Sequence, residues 1–201
     1  MTPNRSVMQA RASAPDELDY FPTPPFATRA LREFLIDIGH DLRGMTAWEP
    51  ACGECHMSGA LWGYFGDVRA SDVHRYSDEH ELIDFLTVGR TYDPVDWVIT
   101  NPPFGGMEED GIETNFPAAF RTRETADLFM VLIMHLLKDG GRAAVVLPDG
   151  FLFGEGIEQI HHALNHLDRC FTNFTSTFGG FDDFAIAHGV YCSHSQANCI
   201  L

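Results

Sequence analysis

The stretch "TAWEPACGECHMSGAL", residues 46–61, carries two incompatible readings. Taken from Cys52, it spells Cys-x-x-Cys-His, the attachment pattern of a c-type haem. Taken from Thr46, it is a short strand, "TAWEP", that runs through the acid Glu49 into a proline, then a loop holding Gly53, then a helical segment, "HMSGALWGYF". Strand, glycine-bearing loop and helix in that order is how an α/β sheet meets a nucleotide-like cofactor. The first reading makes an electron carrier and the second a group-transfer enzyme. The rest of the chain decides between them.

A length of 201 residues suits one domain with a real core. Hydrophobic residues make up 45%, including 16 Phe, which is a globular and not a disordered composition. No apolar run reaches the ~18 residues that span a bilayer, so no membrane role is expected. The opening "MTPNRSVMQARASAPDELDY" has no apolar signal region; residues 1–18 read as a loose polar leader, and a cytoplasmic location is expected. The haem reading loses ground there, because c-type haem is normally attached outside the cytoplasm. Five cysteines, an odd number, suit reduced thiols. The formal charge is −16, and Lys138 is the only lysine. Proteins that grip a phosphate backbone alone are mostly basic, so work on DNA would call for a partner or a local arginine patch. Arg121 and Arg123 are the candidates for such a patch, against ordinary surface charge.

Strands and helices alternate along the chain. "PTPPFATRALREFLIDIGH" opens on prolines, repeats Ala30, Leu31, Phe34, Leu35 and Ile38 at helical spacing, and meets Gly39. "DVRASD" reads as a second strand ending in an acid, and "DWVIT" as a third that runs into "NPPF". "ETADLFMVLIMHLLKDGG" is the clearest helix, "RAAVVLP" a buried strand and "EGIEQIHHALNHL" a further helix. This alternation predicts an α/β fold with a mostly parallel sheet and helices on both faces. Ligands of such sheets bind at the carboxyl ends of strands, where Glu49, Asp72 and Asn101 fall. From residue 169 to 201 no period is readable.

"NPPF", Asn101 to Phe104, has its own chemistry. Two prolines remove two N–H donors and stiffen the backbone, leaving carbonyls free to accept. Asn101 adds a side-chain carbonyl. Two acceptors on the N–H groups of an exocyclic amine hold the nitrogen and aim its lone pair at an electrophile. Phe104 can stack on the ring that bears the amine. A plain strand-to-loop turn with a core Phe is the alternative. The upstream Glu49 and Asp72 loops favour the site.

The ordered set resembles S-adenosylmethionine-dependent DNA methyltransferases of the adenine-N6 type. "DYFPTPPFATRAL", "EPACGECHM", "ASDVH", "DFL" and "VITNPPF" resemble small phage and prophage enzymes. From "NPPFGG" through "RETADLFMVLIMHLLKDGGRAAVVLPDGFLFGEG" the chain resembles modification subunits of type I restriction–modification systems. The resemblance covers roughly residues 19–158 and implies a Rossmann-like methyltransferase domain over 19–168. The sheet is expected to be incomplete at its C-terminal end, with 169–201 an unassigned tail. It further implies that Phe21, Thr23 and Pro24 help hold the methionine part of S-adenosylmethionine. Glu49, Pro50, Ala51 and Gly53 form the cofactor loop, Asp72 takes the ribose hydroxyls, and Asp84 and Phe85 lie beside the adenine. Asn101, Pro102, Pro103 and Phe104 form the catalytic loop, and the implied partners are DNA and a separate specificity subunit.

One position departs from the family: glycine is usual where this chain has Cys55. A β-carbon there crowds the loop or opposes a positive φ. Cys52 stands where small residues are common in the family, and His56 follows as in the relatives' "GHM", so the haem pattern is accounted for. A zinc site from Cys52 and Cys55 would need further ligands, sought in the tail "CSHSQANC", and no metal is expected. Two other functions keep a place beside DNA methylation: methyl transfer to RNA or to a protein glutamine on the same fold, and a truncated, non-catalytic remnant of a modification subunit.

Overall fold

Two prolines set the first helix. Pro24 caps it at φ −58°, Pro25 begins it, and α1 runs Pro25–Asp37 before Gly39 turns the chain out at φ +94°. The computed structural model describes residues 20–88, 92–104, 106–116, 118, 121–147, 169–177 and 185–193. Along these run β1 (Thr46–Glu49), α2 (His56–Leu61), β2 (Asp67–Asp72), β3 (Glu81–Leu82), β4 (Val95–Thr100), α3 (Thr125–Leu136), β5 (Leu137–Leu147), β6 (Arg169–Thr177) and β7 (Ala185–Ser193). The strands form one sheet in the order β3-β2-β1-β4-β5-β7-β6. Neighbours from β3 to β5 pair in parallel, and β7 lies antiparallel to both β5 and β6.

Strand alternation sends consecutive residues to opposite faces, and each face has its own cover. On one side Ala47, Trp97, Ile99 and Ala144 pack with Leu31 and Leu35 of α1 and Met57 and Leu61 of α2. On the other, Trp48, Val98, Ala143 and Val145 meet Phe85 and the side chains of α3. Helix α3 is apolar nearly all round and buried accordingly, with only His135 of its twelve residues exposed. Arg32 locks α1 to α2: its guanidinium lies 3.6 Å over the Tyr64 ring and donates to the Ala60 carbonyl at 3.3 Å. Among the described residues, no helix is long and apolar enough to cross a membrane.

The predicted α/β class holds, with three differences. The helix expected through Gly141 stops at Leu136. Leu137 already pairs with Val95, and the ladder shifts register before Trp97 meets Arg142. Lys138, expected in the helix, instead reaches Asp96 at 2.9 Å across the sheet. The short strand β3 was not foreseen, since two residues carry no period. The incompleteness expected at the C-terminal end is corrected at the level of strands: residues 169–177 and 185–193 form an antiparallel pair, and β7 closes onto β5. The expected helix "EGIEQIHHALNHL" and the leader 1–18 lie outside the described residues.

Candidate active site

Parallel neighbours end together, so β2, β1 and β4 bring Asp72, Glu49 and Asn101 to one edge of the sheet. The chain order reverses between β1 and β4, which is where open α/β sheets form a ligand crevice. Glu49 is 2% exposed, and its Oε2 accepts the Ser58 N–H at 2.7 Å. It thereby caps α2 from the neighbouring strand. Burial pushes its carboxyl up to about 8 against the pull of the Ser58 hydrogen bond, with the Asp72 charge adding to the rise. At neutral pH Glu49 is mostly protonated, so it shapes the loop without presenting a charge.

Asp72 fastens that loop from the other strand. Its Oδ2 accepts the Gly53 N–H and its Oδ1 accepts the His74 N–H, both at 2.9 Å. Cys52 N–H adds a bond to the Ser71 carbonyl at 3.0 Å. Gly53 has φ +53°, and a β-carbon on it would stand 2.5 Å from the Tyr20 ring. Glycine is required there on both counts. Tyr20 stacks on Tyr76, ring centres 4.8 Å apart, and Tyr76 meets His74 edge-on.

The segment before α1 therefore lies over the loop after β1, and it also reaches the loop after β4. Asn101 Nδ2 donates to the Phe21 carbonyl at 3.1 Å. Thr23 is buried, and its hydroxyl has no hydrogen-bond partner among the described residues. A continuous chain of contacts thus joins Phe21, Gly53, Asp72 and Asn101, with Pro50 and Ala51 on the same loop as Gly53. Pro102 is buried, Pro103 half-buried, and Phe104 packs partly against the α3-side core. Asp84 and Phe85 come just after β3. Asp84 caps the short 3-10 turn Phe85–Thr87 by accepting the Leu86 N–H at 3.0 Å. Phe85 is buried edge-on against Trp48. Arg123 is engaged within its own loop, on the Glu108 carbonyl at 3.0 Å and on Asp110 at 2.9 Å, and Arg121 donates to the Phe116 carbonyl at 3.3 Å.

Sequence reasoning missed Tyr20, Tyr76 and His80. Nothing in the spacing marked the tyrosines. His80 is brought beside the β1 loop by the turn after β2, where no metal-ligand spacing to Cys52 or Cys55 is readable. One donor atom from each of Cys52, Cys55 and His80 lies within 4.8 Å of the others, all three side chains buried. Cys55 caps α2 at φ 63° and ψ 30°, the only non-glycine residue at positive φ among those described.

Residues 67–170, just over half of the chain, match the sequence model of the N-6 DNA Methylase family. The chain belongs to that family. Among relatives, the type I restriction enzyme EcoEI methylase subunit of Escherichia coli is 72% identical over 64 residues, which is 32% of this chain and 13% of that protein. The EcoKI methylase subunit of E. coli strain K12 is 38% identical over 73 residues, 36% of this chain and again 13% of the relative. The matched stretches are thus a small part of those proteins' length. Among solved structures, a modification subunit assigned to a type I restriction enzyme of Vibrio vulnificus superposes with a TM-score of 0.62 at 24% identity, covering 90% of this chain and 46% of the other. A Listeria monocytogenes protein assigned as a class I S-adenosylmethionine-dependent methyltransferase gives 0.68 at 18% identity, covering 88% and 62%. Both share the Rossmann-like methyltransferase fold seen here.

Proposed function

We propose that this site binds S-adenosylmethionine and serves methyl transfer to N6 of adenine in DNA, as the catalytic part of a type I modification subunit. The observation that carries the reading is the setting of Asn101. Its amide Nδ2 donates to the Phe21 carbonyl, which fixes the amide at the strand end and leaves Oδ1 for the acceptor role. Pro102 follows with its own carbonyl and no N–H to compete. Two acceptors on one amine favour the pyramidal nitrogen that a methyl transfer needs.

The residues fit the cofactor. Gly53, at φ +53°, lets the loop after β1 turn tightly at the strand end. Asp72 is a buried carboxylate held rigid by two N–H groups, with lone pairs left for a pair of ribose hydroxyls. Thr23 offers a buried hydroxyl without a partner among the described residues. When bound, S-adenosylmethionine supplies an already activated methyl on a sulfonium. The chain's contribution is then positioning and exclusion of water, by Asn101 and Pro102 on the amine and Phe104 on the ring that carries it. A base in a duplex must leave the stack to reach such a site. Asp84 and Phe85 are assigned to the adenine side of the cofactor.

The relatives' designation as subunits supports a role within an assembly, with a specificity subunit as the proposed partner and a cytoplasmic setting. Calorimetry with S-adenosylmethionine, followed by methyl-transfer assays on DNA, RNA and protein, tests the reading. One saturable site and transfer to adenine in DNA alone are expected. Transfer only to RNA or to glutamine would replace the substrate, and absence of cofactor binding would make the chain a non-catalytic remnant.

A further inference from the structure

We propose that Cys52, Cys55 and His80 form a site for one thiophilic divalent cation of the zinc class. The geometry comes first. The two sulfurs stand 3.9 Å apart, and two thiolates on a tetrahedral zinc, at about 2.3 Å each, stand about 3.8 Å apart. A donor atom of His80 completes the group within 4.8 Å. The three residues are 5%, 5% and 6% exposed, so the cluster is sheltered and not an accidental surface grouping.

The tautomer of the histidine suits a ligand. Its Nε2 lies 3.0 Å from the His74 carbonyl, which can only accept, so Nε2 carries the hydrogen and Nδ1 the lone pair. The partner now on Nδ1 is the half-buried Ser77 hydroxyl at 3.2 Å, a rotor that can turn to water when a cation takes the nitrogen. The backbone adds an independent sign. Cys55 holds a left-handed conformation that costs an L-residue about 1–2 kcal/mol and glycine far less. That strain sets its sulfur beside Cys52.

Binding of a dication displaces the thiol protons to solvent. Three ligands come from the described residues, which leaves a fourth corner of the tetrahedron open to water. The site would pin the loop of Gly53 to the turn after β2. It stands on this loop geometry and not on the reaction proposed above.

Cobalt(II) titration of the reduced, full chain tests it, with zinc as competitor. One equivalent should give a thiolate-to-cobalt charge-transfer band and intense visible bands of a tetrahedral site, both bleached by zinc. Cys55→Gly relieves backbone strain, so it should fold by circular dichroism yet bind more than about 100-fold more weakly. His80→Gln should keep the thiolate band and alter the visible spectrum. A wild-type chain without the thiolate band overturns the proposal. So does a band that survives Cys55→Gly unchanged, or a chain whose Cys52 and Cys55 only cross-link in air and take no cobalt when reduced.

Discussion

Asn101 illustrates how much a single residue decides. Its Nδ2 donates to the Phe21 carbonyl, and the proposed function gives Oδ1 to the target amine. Asn101→Ala should lower methyl transfer by at least about 100-fold, in line with loss of one polar contact made at the reacting centre, and leave cofactor affinity within a few-fold. Equal loss of both in calorimetry and a methylation assay would place the residue elsewhere. Asp72→Ala should instead weaken cofactor binding by roughly 10- to 100-fold, since a charge-assisted hydrogen-bond pair contributes about 1.5–3 kcal/mol. An unchanged dissociation constant would remove Asp72 from the cofactor. Glu49 behaves differently because its carboxyl titrates near 8 in the fold and near 4.5 when free. Between those values the folded chain holds a proton that the unfolded chain has lost. Its stabilising contribution is therefore complete below about pH 4.5 and disappears as the pH rises through 8. Urea unfolding of metal-free protein should show wild type losing ground to Glu49→Gln by up to about 1.4 kcal/mol per pH unit between pH 5 and 8. Parallel stability curves would refute the buried neutral acid. The sequence placed Glu49 on the right strand end but could not show this use, because the Ser58 N–H that it caps is defined only once α2 is formed.

At the scale of elements, legibility followed periodicity. The strands "TAWE", "DVRASD" and "VDWVIT" were readable because each ends in a polar residue at a turn, and α1 because its apolar stripe returns every three or four residues. The end of α3 was not readable, since "LLKDGG" suits a helix terminus by local rules and is captured by β4 only through pairing across the sheet. The pair β6 and β7 was hidden for a related reason: "FTNFTST" and "AIAHGVYCS" show no clean alternation. Their place in the sheet makes a sharp prediction. Gly189 of β7 pairs with Ala143 on one side and Asn173 on the other, so it sits inside the ladder with strands on both flanks. Gly189→Pro removes an N–H in mid-sheet and should cost about 3 kcal/mol or leave the chain insoluble. A thermal midpoint equal to wild type would mean that β7 does not belong to the folded sheet.

Over the whole molecule, charge opposes the substrate that the site is proposed to serve. Lys and Arg number 13 against 29 Asp and Glu, and several of the cations are already committed. Lys138 pairs with Asp96, Arg123 with Asp110 and Arg69 with Asp67, while Arg32 is stacked on Tyr64. A polyanion approaching a chain of charge −16 meets repulsion and releases few counterions on contact. Local fold, and the placing of the candidate residues at strand ends, were legible in the sequence; affinity for DNA is a property of the summed field, and composition alone bounds it. The chain by itself should bind duplex DNA more weakly than about 10⁻⁵ M at physiological salt, with no preference among unrelated sequences. Fluorescence anisotropy with two unrelated duplexes measures both. A basic partner should raise the affinity, and the gain should shrink steeply as salt is added, because that partner's cations supply the attraction. Nanomolar, sequence-selective binding by the chain alone at physiological salt would defeat this account and require a recognition surface that its net charge does not suggest.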